Sequence, residues 1–218
     1  LVMENGLTWK LVGNEAAMVL IGIVIAVLFN MRMPSKEAEL QMDIAHIDSY
    51  MDENLISIAN HLCSHSKLDK DKRHLNALLD HISGAIDKAY ANRNNTLRSH
   101  SDYYIDYLNF RKEQCEILLH VYYIVAHHDF VVDEAKIVAE VIREVAGHLH
   151  VQKEIEAVMH KIDKTAHEII HGEKTKNQQE FEGKAVLYQL LYELREFLWH
   201  QEMFIENVTE EQILAYWE

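Results

Sequence analysis

SDYYIDYLNFRKEQCEILLHVYYIVAHH, residues 101–128, decides how the rest of the chain is read. Tyr104, Leu108, Arg111, Cys115, Leu118, Tyr122 and Val125 recur at steps of three and four, with Tyr103, Tyr107, Phe110, Gln114, Ile117, Val121 and Ile124 alongside. Those steps are the period of an α-helix, so the stretch predicts a helix with two adjacent apolar seams. Asp102, Asp106, Asn109, Glu113, Glu116, His120 and His127 leave only a narrow polar stripe. A helix apolar over so wide an arc must be covered on two sides, as the central helix of a bundle is. Arg111 stands inside one seam. An unpaired guanidinium there is costly, so it requires a carboxylate partner or a route to water, and a structural ion pair is expected ahead of an anion-binding role.

Outward from this stretch the same spacing continues. Residues 36–65 carry Leu40, Ile44, Ile47, Met51, Leu55, Ile58 and Leu62 in one narrow seam, with Ser35 as the expected N-cap. Residues 71–96 carry Leu75, Leu78, Leu79, Ile82, Ile86 and Ala89. A shorter helix is expected from Asp133, as N-cap, to 148, and another over 151–171. Residues 178–204 again show two seams, Leu187, Leu190, Leu194, Phe197 and Phe204 beside Phe181, Tyr188, Leu191, Leu198 and Ile205. Thr209 and Gln212 have capping-box spacing ahead of a last short helix ending at Trp217. Pro34 is the only proline and glycine is scarce after Gly22, so no linker divides these segments. The fold class is therefore all-α, with an antiparallel bundle of about six helices over 35–218.

The N-terminal part differs in character. Residues 16–33, AAMVLIGIVIAVLFNMRM, are apolar on every face as far as Phe29. Eighteen helical residues span about 27 Å, close to the roughly 30 Å of a bilayer's hydrocarbon core. A transmembrane helix ranks ahead of a buried core helix, which would keep a polar stripe. Trp9, Lys10 and Arg32 flank the run as interfacial anchors. No basic n-region or small-residue cleavage site frames it, so the expectation is a span rather than a secretory leader. Arg32 and Lys36 after the run place the long C-terminal part on the cytoplasmic side. Glu4, Glu15, Lys10 and Arg32 cancel, so the whole net charge of −14 belongs to residues 34–218. Such a domain repels nucleic acid and anionic lipid. Cys63 and Cys115 are the only cysteines and form no CxxC pair, which suits free thiols in a reducing compartment.

Three stretches taken together, LIGIVIAVLFNMRMP (20–34), SDYYIDYLNFRKEQCEILLHV (101–121) and EFEGKAVLYQLLYELREFL (180–198), resemble the bacterial putative aromatic acid exporter family. The resemblance covers essentially the whole chain. It implies that residues 1–34 end a multi-pass domain in the bacterial cell membrane and that 35–218 form its cytoplasmic C-terminal domain. It also implies an aromatic carboxylate as the transported substrate, handled by membrane helices that precede this chain. Asp102, Tyr103, Tyr104, Tyr107, Arg111, Phe181, Glu182, Ala185, Leu187, Gln189, Leu190 and Leu191 match the family pattern as a fold signature, not as an active site. The expected role is assembly or regulation, with a homo-oligomer formed through the 40–62 seam and the exposed parts of the two double-seamed helices. A single-pass anchored scaffold or sensor is the alternative.

One motif points to a different class. His167, Glu168 and His171 read H-E-I-I-H, the spacing by which two His on one helical face bind zinc while the Glu polarises a water. With 15 His in the chain, chance supplies such a pattern roughly one time in ten. A catalytic zinc also needs a third ligand and a walled cleft, and Glu193 or Glu196 on the next helix could supply the ligand, but neither is at a distinctive spacing. The polar run after His171 predicts an exposed helix end, so no metal, no cofactor and no enzyme activity are expected, and a zinc hydrolase is the remote alternative. No Gly-rich phosphate loop, nucleophile with a base, or basic aromatic patch is present in the sequence.

Overall fold

The computed structural model describes residues 9–32, 36–64, 68, 73–95, 100–128, 130, 132–149, 154–209 and 212. Among them are seven helices and no strand: α1 (Trp9–Arg32), α2 (Lys36–Ser64), α3 (Arg73–Asn95), α4 (His100–Ala126), α5 (Glu134–Gly147), α6 (Ile155–His171) and α7 (Gln178–Asn207). The expected cap at Ser35, the first residues of the helix expected from 71, those of the helix expected from 151, and the last short helix to Trp217 lie outside the described residues.

The chain divides into two compact units, Leu1–Ala38 and Glu39–Glu218. In the first, every described side chain of α1, from 12 to 28, is exposed, with Leu20, Val19 and Met18 each 60% or more open. No helix is long and apolar enough to cross a membrane among the described residues, which take in only part of the 16–33 run.

In the second unit the helical periods lay down one continuous core. Leu40, Ile47, Met51, Leu55, Ile58 and Leu62 of α2 are buried at 2% or less. Burial of side chains of this size contributes roughly 1.5–3 kcal/mol each. That seam was expected to serve assembly as well, but the protein's own core uses it up. In α4 both seams are enclosed, with Ile117 the one half-buried member, and all seven residues of the polar stripe are exposed. Aromatic rings join α4 to α7, where Phe204 stacks on Phe110 at 4.8 Å and meets Tyr107 and Tyr103 edge-on or tilted at 5.5 and 6.0 Å.

Polar contacts show the direction of the helices. Glu113 with His200 and His120 with Glu193 run α4 and α7 antiparallel, whereas Gln41 with Tyr104 and Asp48 with Tyr107 run α2 parallel to α4. Asn177 starts α7 by accepting from the Glu180 N–H at 2.8 Å, and Glu180 in turn accepts from the Lys176 N–H. Asp133 does occupy the N-cap position of α5, but its carboxylate caps nothing and lies 3.4 Å from Lys136. Thr209 and Gln212 form the reciprocal capping-box bonds their spacing predicts.

In α7 the second expected seam is only half right. Leu191 and Leu198 are buried, but Phe181 is 62% and Tyr188 41% exposed. The step from 188 to 191 rotates the helix by about 60°, which carries the row of Phe181 and Tyr188 out of the buried arc.

Candidate functional site

Arg111 is fully buried at the middle of α4, and four segments converge on it. Its Nε lies 2.7 Å from Asp48 Oδ1 of α2. One turn before it, the Tyr107 hydroxyl accepts from Nε at 3.0 Å and Nη2 at 2.8 Å, and donates to Asp48 Oδ2 at 2.6 Å. Nη1 donates to Gln114 Oε1 at 2.7 Å, and Gln114 Nε2 donates to the Phe197 carbonyl of α7 at 2.8 Å.

Nη2 also donates to the Leu149 carbonyl at 2.9 Å, just past the C-terminus of α5, where Gln201 Nε2 donates to the neighbouring His148 carbonyl at 2.9 Å. Helix C-termini leave carbonyls without intrahelical donors and carry partial negative charge, so a cation and an amide are well matched there. Burial opposes the charge on Arg111, but Asp48 and Tyr107 more than offset it and hold the guanidinium charged. Burial likewise pushes the Tyr107 phenol above its ordinary value. The cluster therefore closes on itself as a junction of α2, α4, α5 and α7. Asp48, Gln201 and the α5 terminus were not singled out as its members in the sequence, though Asp48 adjoins Ile47 in the α2 seam.

Among the grooves at the surface, two border aromatic side chains of α7. The first, of about 490 Å³, runs between α4 and α7 against Tyr103, Phe110 and Phe204, with Asp106, Glu113 and His200 on its walls. His200 Nδ1 sits 2.8 Å from Glu113, and partial burial followed by the charge of Asp102 raises Asp106 above the usual carboxylate range. Its acidic walls disfavour an anion. The second groove, of about 570 Å³, lies between α6 and α7 against Ile169, Ile170, Phe181 and Tyr188. Lys184 at its side is committed: its Nζ lies 2.9 Å from Glu134 and 3.9 Å from Glu180, and donates to the Glu173 carbonyl at 3.2 Å.

His167 and His171 are exposed at the end of α6, their rings stacked at 4.1 Å, and Glu168 faces Lys164 at 3.8 Å. Glu193, one of the two glutamates expected as a third zinc ligand, is turned toward His120 of α4 at 2.9 Å. Among the described residues no group of three or more His, Cys, Asp or Glu is arranged to hold a metal ion. Gly172 ends this helix where a Cβ would meet the Glu168 carbonyl at 2.6 Å, too close for any other residue without a shift.

The family-pattern residues separate into two sets. Tyr103, Tyr104, Tyr107, Arg111, Leu187, Leu190 and Leu191 are core residues, and Asp102, Phe181, Glu182, Ala185 and Gln189 are exposed.

Residues 37–202 match the model of a protein family described as "Putative aromatic acid exporter C-terminal domain". A Bacillus subtilis (strain 168) protein described as uncharacterized protein YqjA is 24% identical over 198 residues, 91% of this chain and 61% of that protein. The chain thus spans less than two thirds of that relative. The fold is similar to that of a solved structure of a putative membrane protein from Clostridium difficile 630, with a TM-score of 0.68 at 21% identity, over 78% of this chain and 98% of the other.

Proposed function

Because the chain belongs to the putative aromatic acid exporter C-terminal domain family, as the match over residues 37–202 establishes, we propose that residues 35–218 assemble or regulate a bacterial membrane exporter of aromatic carboxylates. Residues 16–33 are the last transmembrane helix of that exporter, and the helical domain faces the cytoplasm. The exposure of every described side chain of α1 supports this, since an apolar helix open along its described length needs lipid or other membrane helices around it.

One observation carries the assembly role. The helical domain pairs its buried cations, Arg111 with Asp48 and Lys184 with Glu134, while large aromatic side chains on α7 remain open. Among the described residues both buried cations are already paired, so neither is free for a carboxylate, whereas an assembly surface needs only open apolar area.

The test is efflux of benzoate or a hydroxycinnamate from cells expressing the native protein, with and without residues 35–218. Loss of efflux, with the membrane part still inserted, is expected on deletion. Unchanged efflux would overturn the assigned role.

A further inference from the structure

The exposed apolar residues of α7 form a single line. Phe181, Ala185, Tyr188, Tyr192, Trp199 and Met203 are all exposed, between 38% and 62% for the five large ones, and at 100° per residue they fall within about 40° of one axis-parallel row. The opposite face of the helix is turned into the core through Leu187, Leu190, Leu194, Phe197 and Gln201.

This row has a symmetry of its own. Tyr192 stands at its centre, Ala185 and Trp199 lie seven residues to either side, and Phe181 and Met203 lie eleven to either side. Two copies of the row placed antiparallel, with a two-fold axis at Tyr192, therefore come into register. The small Ala185 faces the large Trp199 of the second copy, and Phe181 faces Met203. A two-fold pair requires this kind of self-complementary patch, and large-against-small pairing lets the rows interdigitate. Glu182 and Glu202 lie about 80° to either side of the row, at the rim, where solvent screens them.

The open area is also in the right range. The four aromatic side chains expose on the order of 400 Å² together. Ile170, 55% exposed, extends the patch through the groove it shares with Phe181 and Tyr188. Patches of this size mark interaction sites, and with a polar rim the area approaches the roughly 800 Å² per partner of a standard interface.

We propose that α7 is the homodimerisation element, pairing antiparallel with α7 of a second copy about Tyr192. The proposal rests on the assembly role above and names its surface. It predicts that the full chain in detergent micelles has the mass of a dimer by light scattering, and that Tyr192→Glu, an exposed change outside the core, halves that mass while leaving helix content unchanged. In a Cys63→Ser background, Tyr192→Cys cross-links to itself with a short bismaleimide. Phe181→Cys alone does not, because its two copies lie about 33 Å apart, whereas Phe181→Cys mixed with Met203→Cys does.

A monomeric parent chain would overturn both the pairing and the assembly role. An oligomer that survives Tyr192→Glu, with no cross-link at 192, would overturn the pairing and leave the assembly role standing. Self-cross-linking of Phe181→Cys would overturn the antiparallel register.

Discussion

Arg111 and Asp48 are one unit, because a charge buried at 0% exposure keeps its stability only while its counter-charge is present. Asp48→Ala should lower unfolding free energy by about 3–5 kcal/mol in urea titrations, since it leaves the guanidinium uncompensated. Asp48→Leu combined with Arg111→Met should recover most of that loss, because both desolvation costs vanish together. The need for this partner was legible in the sequence, since an arginine inside an apolar seam demands one. Its identity was not, because Asp43, Asp48, Asp52 and Glu53 all lie near the α2 seam and the choice depends on the parallel register of α2 and α4.

The Glu134 carboxyl behaves differently. Partial burial raises it, and the Lys184 ammonium outweighs that and holds it below the usual carboxylate range. A group depressed in the folded state stabilises above its unfolded value of about 4.3 and loses that contribution as pH falls through the lower folded value. Glu134→Gln should therefore lower the melting temperature at pH 7 and flatten its decline in acid below about pH 4. Cys115 is enclosed, and burial, followed by the neighbouring Glu116 charge, pushes its thiol up to about 12. Native maleimide labelling should modify the half-buried Cys63 and spare Cys115 until urea is added.

At the scale of single helices, α4 was readable residue by residue because it is enclosed along nearly its whole length, so apolar spacing and burial coincide. Helix α7 was readable only in its first seam. Apolar spacing puts Phe181 and Tyr188 in a second seam, and a bulky aromatic left open at the surface has the same spelling as one turned into the core. The start of α7 offers a direct check on local structure. Asn177→Ala should cost about 1 kcal/mol, the loss of one N-cap bond. Phe204→Ala should cost about 3–5 kcal/mol, because it empties the ring stack that ties α7 to α4. Comparable losses at the two sites would show that α7 is held by its cap as much as by its core.

For the whole molecule, composition and periodicity together announced an all-helical chain with an apolar N-terminal helix and an acidic remainder. What they left open was which face the bundle leaves uncovered, because that depends on how the helices are arranged and not on any one helix. The charge of −14 opposes association of two such domains, so the proposed α7 dimer should tighten as salt is raised from about 50 to 500 mM, the reverse of an interface held by surface ion pairs. Sedimentation across that range checks it.

The exporter assignment itself depends on what the native polypeptide contains. Its size, followed in a membrane fraction that resists carbonate extraction, is the most direct test, together with the count of apolar segments in the complete reading frame. A polypeptide well beyond 218 residues, with four or more further apolar segments of about 20 residues, is expected. A native protein of about this chain's length, anchored by one helix or washed off altogether, would contradict the exporter role and leave a helical scaffold in its place.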